Sequence, residues 1–219
     1  MKASNTSLRI ITSIAMLAGL AGFFCLEIYF PKYHAVRWLS MLIVFGGIVE
    51  TIKCLCNTSL TEFRKNSVAF ILFVLWLFVV LVSAYFVGAR PWIMLCLLMV
   101  IVGADTGAWL FGKIFGGDKM WEKVSEHKTW SGQIGGILCG TAMAVAYGFI
   151  GTNIFRPELL LTGISVALLS QYGDLTASFI KRRLGIKDFS GLLPGHGGIL
   201  DRFDGWIYVL PLFWLIIMG

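Results

Sequence analysis

Between Ser178 and Asp204 the chain reads Ser-Phe-Ile-Lys-Arg-Arg-Leu-Gly-Ile-Lys-Asp-Phe-Ser-Gly-Leu-Leu-Pro-Gly-His-Gly-Gly-Ile-Leu-Asp-Arg-Phe-Asp, which places five cations, three carboxylates and one histidine between two apolar segments. Asp201 and Asp204 stand three residues apart at the head of the last apolar run, so on a helix they share one face and can hold one cation. Lys181, Arg182, Arg183 and Lys187 come just before them, a supply of positive charge suited to phosphate oxygens. These residue types point to metal-assisted phosphate chemistry at a lipid surface. The residues alone leave a plainer alternative open, in which Asp201 and Asp204 cap the helix and pair with Arg202.

Asp174 lies in Gln171-Tyr172-Gly173-Asp174-Leu175, about a turn before the polar end of its apolar segment. An isolated aspartate costs about 2.5 to 3.5 kcal/mol at mid-membrane on insertion scales, and less near the interface, so a partner or a cation is expected. With Asp201 and Asp204 it makes three carboxylates from two helices, enough to bind one or two Mg²⁺ ions. The glycines of Pro194-Gly195-His196-Gly197-Gly198 permit a tight turn with exposed amides before the last helix, and such amides attract phosphate. In Lys128-Thr129-Trp130-Ser131-Gly132 a cation and two hydroxyls precede a helix start, where Thr129 and Ser131 either serve the site or cap the helix. Asp105 either lines the polar cavity or pairs with a lysine such as Lys113. His127 and His196 are loop histidines, and the setting of His196 admits both a functional and a purely hydrogen-bonding role. Gly107-x-x-x-x-Gly112-Lys113 fails as a P-loop, because residue 114 is Ile and a spanning segment precedes it instead of a strand.

The elements that must position these groups are transmembrane helices. The chain has 219 residues, 58% of them hydrophobic and 14% charged, and a mean hydropathy of +0.82, more apolar surface than a soluble core of this size can hide. Candidate spans are residues 9 to 30, 35 to 52, 67 to 88, 91 to 112, 132 to 151, 157 to 178 and 198 to 218, each near the ~20 residues a crossing needs. The fold expected is an all-α polytopic membrane protein of about seven transmembrane helices, since lipid leaves no backbone group unpaired. The first apolar segment reads as a retained helix, because no polar cleavage region follows it. One membrane domain spans 1 to 219, with 1 to 90 as scaffold and 91 to 219 as the catalytic part. Repeated four-residue spacing in Gly103/Gly107, Gly112/Gly116 and Gly132/Gly136/Gly140 signals close helix packing.

Thirteen Lys and Arg fall in the amino-terminal tail and the loops 53–65, 113–128 and 181–187, against four in the alternate loops. This asymmetry makes the amino terminus cytoplasmic and puts both long polar loops on the cytoplasmic side. The net charge of +6 sits in short loops beside spans, which fits orientation and anionic lipid rather than nucleic acid. The cysteines, Cys25, Cys54, Cys56, Cys96 and Cys139, include no Cys-x-x-Cys pair and read as reduced packing residues. Glu27 and Glu50 are the carboxylates that fall within the scaffold spans; Glu50 admits a functional role, since a buried carboxylate in lipid is costly, and a plainer one, since it lies near a cytoplasmic helix end and can reach water or Lys53.

The order Ser178-x-x-Lys181-Arg182, Lys187-Asp188, Pro194-Gly195-His196-Gly197-Gly198 and Leu200-Asp201-Arg202-x-Asp204 resembles the signature of the phosphatidate cytidylyltransferase (CDP-diacylglycerol synthase) family. The likeness is strongest from Asp105 to Gly136 and from Gln171 to Gly205. It implies a polytopic membrane enzyme that condenses CTP with phosphatidic acid, releasing pyrophosphate and CDP-diacylglycerol for phospholipid biosynthesis. It further implies Mg²⁺ on Asp174, Asp201 and Asp204, as one or two divalent ions with a monovalent cation compatible. Lys128, Thr129 and Ser131 match a segment near the active site, and Lys181, Arg182, Lys187, His196 and Arg202 match the basic groups of the signature. A homodimer in the bacterial inner membrane, with its active site facing the cytoplasm, also follows from the resemblance. The chain departs from the pattern at Ala177, where many members carry glutamate, and at Gly205, where many carry serine. A cytidylyltransferase or kinase acting on another membrane lipid is the nearest alternative, and an ion-coupled transporter is the alternative from another class.

Overall fold

The computed structural model describes residues 2–122, 124–152 and 156–219. Its elements run α1 (Lys2–Tyr29), a 3-10 turn (Pro31–Tyr33), α2 (Ala35–Asn57), α3 (Leu60–Val87), α4 (Pro91–Phe115), β1 (Lys119–Trp121), β2 (Ser125–Thr129), α5 (Trp130–Thr152), α6 (Glu158–Arg183), α7 (Leu200–Phe203) and α8 (Trp206–Met218). The chain is therefore an all-α polytopic membrane protein with one added feature, a two-stranded antiparallel hairpin in the loop after α4. In that hairpin Lys119 pairs with Thr129 and Trp121 with Ser125, with an irregular register between them.

Among the described residues, five helical segments are long and apolar enough to cross a membrane: 9–29, 31–57, 63–87, 91–115 and 130–151. Seven candidate spans thus reduce to five by this measure. The segment expected at 157 to 178 does form a helix, α6, but Ser170, Gln171, Asp174 and Ser178 make it more polar than the rest. The segment expected at 198 to 218 is broken after Phe203 into a single short turn and the 13-residue apolar α8. At ~1.5 Å per residue, α8 alone is shorter than the ~30 Å hydrocarbon layer.

The contacts divide the chain into two units. The first comprises Met1–Pro91, Ile180–Asp204 and Leu210–Gly219, and the second comprises Trp92–Phe179 and Gly205–Val209. In the first unit α2 packs on α1, α3 and α7. Helix α3 shows why lipid is its other solvent. Phe70, Phe73, Leu77, Val80, Ala84 and Val87 recur at three- and four-residue steps and are buried, while Val68, Ile71, Leu72, Leu75, Phe78 and Val82 on its remaining surface are equally apolar and exposed. A helix apolar all round with only one stripe covered is a membrane helix.

In the second unit glycines bring α4 against α5. A Cβ on Gly107 would lie 2.6 Å from both Cys139 Cβ and the Gly135 carbonyl oxygen, and one on Gly132 would lie 2.7 Å from the Ala108 carbonyl oxygen. The four-residue glycine spacing is thus a packing device, with one correction. Gly116 packs on nothing; it ends α4 with φ +57°, and its N–H bonds the Gly112 carbonyl at 3.1 Å, the left-handed stop that a Cβ would strain.

Candidate functional site

The second unit contains a cavity of about 260 Å³ lined by Asp105, Trp109, His127, Lys128, Thr129 and Asp174, among other residues. Each wall has a local reason to be where it is. The hairpin delivers His127 and Lys128 at the end of β2, and α5 begins at the next turn. Thr129 is the N-cap of α5, because its Oγ1 accepts the Gly132 N–H at 3.1 Å. Ser131 Oγ donates to the Gly116 carbonyl, tying the start of α5 to the end of α4. The hydroxyls of Thr129 and Ser131 also meet at 3.1 Å. Both hydroxyls therefore hold the loop in place, and Thr129 in addition faces the cavity.

Lys128 Nζ reaches Asp174 Oδ2 at 2.7 Å and donates to the Gln171 carbonyl at 3.4 Å. Ser178 Oγ donates to Asp174 Oδ1 at 3.3 Å. The partner that an aspartate in this apolar setting requires is thus a lysine from the hairpin. Asp105 lines the same cavity, whereas Lys113 lies over the Trp109 ring, 5.0 Å from its centroid. That resolves the two readings of Asp105 in favour of the cavity. Gly107 and Gly112 sit inside the continuous helix α4, as expected of a sequence that is no P-loop.

The first unit holds the other group of candidates. Helix α6 ends in a Schellman motif, with the Gly185 N–H on the Arg182 carbonyl at 3.2 Å and the Ile186 N–H on the Lys181 carbonyl at 3.0 Å, the geometry that a left-handed glycine permits. Lys181, Arg182 and Arg183 fall in the last turn of α6, where the helix dipole favours cations. Lys181 Nζ meets Asp201 Oδ1 at 2.7 Å. Asp201 Oδ2 accepts the N–H groups of Phe189 at 2.9 Å and Gly198 at 2.8 Å. Asp201 therefore does not cap α7, which has no side-chain cap from its own N-cap residue; it ties the preceding loop to the helix, and it pairs with Lys181 and not with Arg202, whose Nε donates to the His196 carbonyl at 2.9 Å. Asp204 closes α7 as a half-buried residue, and Arg182 and Lys187 are exposed.

The Leu193-Pro194-Gly195-His196 turn is closed by the His196 N–H on the Leu193 carbonyl at 2.9 Å. Pro194 and Gly195, the latter at φ +78°, take the central positions that a type II turn assigns to them. The turn aims His196 at α1, where Nδ1 contacts Thr12 Oγ1 at 2.7 Å and Nε2 contacts Ser13 Oγ at 3.1 Å. Both ring nitrogens of His196 are engaged.

Asp174 belongs to the second unit, and Asp201 and Asp204 belong to the first. Among the described residues of either unit, no three His, Cys, Asp or Glu side chains gather closely enough to hold one ion. The donor chemistry can still be tested unit by unit. Asp174, whose side chain is 39% exposed, shares a cavity with Asp105, and such hard oxygen donors fit Mg²⁺. The Asp201 side chain is 3% exposed and already surrounded by an ammonium and two amides, a setting that suits an anchor more than an open ligand.

The residues 2–218 match the sequence pattern of the Cytidylyltransferase family. The chain belongs to the cytidylyltransferase family. It is 36% identical over 203 residues, 90% of its length, to a phosphatidate cytidylyltransferase of Staphylococcus epidermidis, of which the match covers 77%. It is 44% identical over 115 residues to the phosphatidate cytidylyltransferase of Staphylococcus haemolyticus and 45% identical over 116 residues to that of Staphylococcus aureus. In each of these two the match spans 52% of this chain and 44% of the relative.

Of the residues that line the cavity, the sequence named Lys128, Thr129 and Asp174 and did not commit to Asp105, His127, Gln133 or Gln171. The signal for Gln171 is its position three residues before Asp174, one helical turn away on the same side. Glu50 was read as reaching water or Lys53, but the structure gives it other partners: Ser190 Oγ at 2.6 Å and the N–H groups of Ile199 and Leu200 at 3.0 Å. Of the five cysteines, Cys54, Cys96 and Cys139 are half-buried, as packing residues are, whereas Cys25 and Cys56 are exposed.

Proposed function

We propose that the chain transfers the cytidylyl group of CTP to phosphatidic acid, giving CDP-diacylglycerol and pyrophosphate. The observation that carries this reading is the 36% identity to a phosphatidate cytidylyltransferase over 90% of the chain. The cavity supports it, because Lys128 offers a positive charge to phosphate oxygens beside the carboxylates Asp105 and Asp174.

In this reaction a phosphate oxygen of phosphatidic acid forms a bond to the α-phosphorus of CTP as the bond to the bridging oxygen breaks, and pyrophosphate leaves with that electron pair. Phosphate monoesters are already largely ionised near pH 7 (second pKa ~6), so no strong base is required. Positioning and charge neutralisation dominate. Lys128 is proposed to hold triphosphate oxygens, with Lys181, Arg182, Lys187 and Arg202 as the further basic groups that the resemblance supports. Mg²⁺, when bound, supplies neutralisation of the triphosphate; the resemblance supports Asp174, Asp201 and Asp204 as its ligands, of which Asp174, beside Asp105 in the cavity, has the open oxygen setting an ion needs and Asp201, already held by Lys181 and two amides, does not.

The same reading places the protein in a bacterial inner membrane with the hairpin and the 184–199 loop facing the cytoplasm, supported by the lysine and arginine asymmetry. Nucleic acid is not a proposed partner. A homodimer stays a proposal from the resemblance, since Gly103, Gly107, Gly132, Gly136 and Gly140 already serve contacts inside the second unit. Purified protein in phosphatidic-acid vesicles with radiolabelled CTP tests the activity: Mg²⁺-dependent label in lipid is expected. Label appearing only with a different lipid acceptor would overturn the substrate, and none with any lipid would overturn the activity.

A further inference from the structure

A carboxylate in the apolar helix α2 needs a reason to be there, and Glu50 is 6% exposed. Its Oε1 accepts the Ser190 hydroxyl at 2.6 Å and the Ile199 N–H at 3.0 Å, and its Oε2 accepts the Leu200 N–H at 3.0 Å. The Ile199 and Leu200 amides are the orphan donors that any helix start exposes, here the start of α7. A side chain from another helix satisfies them.

The surface of α2 around Glu50 is shaped for the same segment. A Cβ on Gly46 would lie 2.7 Å from Ile199 Cδ1, and one on Gly47 would lie 3.2 Å from Leu200 Cδ1. One turn beyond Glu50, Cys54 Sγ donates to the Phe189 carbonyl at 2.8 Å. The approach is tight from the other side as well, since a Cβ on Gly198 would lie 2.7 Å from Glu50 Oε2. Residues 46, 47, 50 and 54 recur at helical steps on one face, and together they grip the chain between Phe189 and Leu200.

We propose that Glu50 is a positioning residue for cytidylyl transfer, acting by holding the start of α7 and so fixing the backbone that presents His196, Asp201 and Arg202. The proposal rests on the function proposed above. Glu50 touches no reacting atom in this role. Its carboxylate is matched to three donors, and no neutral side chain of that size offers two acceptor oxygens.

Glu50→Gln tests it, because the amide keeps the volume but turns one acceptor into a donor facing a backbone N–H. In the full chain in vesicles, kcat should fall roughly tenfold or more, as misplacement of a site backbone predicts, with KM for CTP within about twofold. Hydrogen exchange at the amides of 198–201 should accelerate roughly tenfold, while that of Phe70–Val80 in α3 stays unchanged. Ser190→Ala, which removes one donor at a half-buried loop position, should move both readouts the same way by less. Unchanged exchange at 198–201 in Glu50→Gln, or a kcat within about twofold of the parent, would overturn the role. If Glu50→Gln does not insert, Ser190→Ala decides by the same criteria. A parent protein inactive with CTP and phosphatidic acid would instead overturn the proposed function, and loss of amide protection in either variant would still establish the anchor.

Discussion

Lys128 Nζ and Asp174 Oδ2 lie 2.7 Å apart, one at the end of a hairpin and the other in a membrane helix, in the cavity they both line. The pair explains how an aspartate is kept in α6. Its side chains are 25% and 39% exposed, so the attraction is screened and the pair contributes little to stability. Both groups therefore remain available, the ammonium to a phosphate and the carboxylate to a cation.

Asp174→Asn should separate these two roles. Thermal unfolding in detergent should report a stability change within about 1 kcal/mol, whereas CTP-dependent labelling of phosphatidic acid should fall roughly a hundredfold or more. Activity close to the parent would remove Asp174 from the site.

Asp201 presents the opposite balance. Its side chain and that of Lys181 are 3% and 12% exposed, and removing one partner of a buried pair costs about 3 to 5 kcal/mol because the other charge is left without a match. Asp201→Asn should therefore lose turnover and lower the unfolding temperature together. Replacing Lys181 by Met in the same chain should restore part of the stability and none of the activity. A variant that loses activity at full stability would make Asp201 a direct participant and not an anchor.

What the sequence could and could not disclose follows from the range of the interactions. Helices α1 to α5 were legible because apolar composition over 20 or more residues is a local property. Helix α6 was placed as well, although two of the residues that make it polar, Gln171 and Asp174, line the cavity. The hairpin was not foreseen, since strands of three and five residues carry too short a pattern to distinguish from a polar loop. Thr129 as an N-cap could be stated as one of two readings, because a cap depends on the three residues that follow. The partners of Glu50 and His196 could not be named, because Ile199 and Thr12 are far from them in sequence. The glycine spacing told that close packing occurs, but at Gly116 the same spacing marked a helix end instead.

The N-cap at Thr129 yields a graded test. Thr129→Val keeps the shape and removes the oxygen that accepts the Gly132 N–H, which should cost about 1 kcal/mol. Thr129→Ser should retain most of that stability. Circular dichroism melts of the two variants check it, and equal melting of Val and Ser variants would show that the hydroxyl does not hold α5.

Two glycines should respond in opposite ways to a single added carbon. At Gly136 a Cβ would press on Gln171 Nε2 and lie 2.8 Å from the Ala104 carbonyl oxygen. The Gln171 amide, the end of a flexible side chain with a 3.4 Å contact to the Gln133 carbonyl, can shift, but the Ala104 carbonyl is backbone and cannot yield cheaply. Gly136→Ala should cost about 1 to 3 kcal/mol, the range of overpacked cores, and should lower activity because Gln133 and Gln171 line the cavity. At Gly205 a Cβ would sit 3.4 Å from Ile101 Cγ2 and from Ser170 Cβ, ordinary contact distances. Gly205→Ala, which adds that one carbon at a backbone conformation an L-residue can adopt, should therefore be tolerated and stabilise the fold by about 0.4 to 1 kcal/mol through the unfolded chain. A melt of both variants side by side decides it, since equal destabilisation would mean that helix packing at Gly136 is looser than these contacts require.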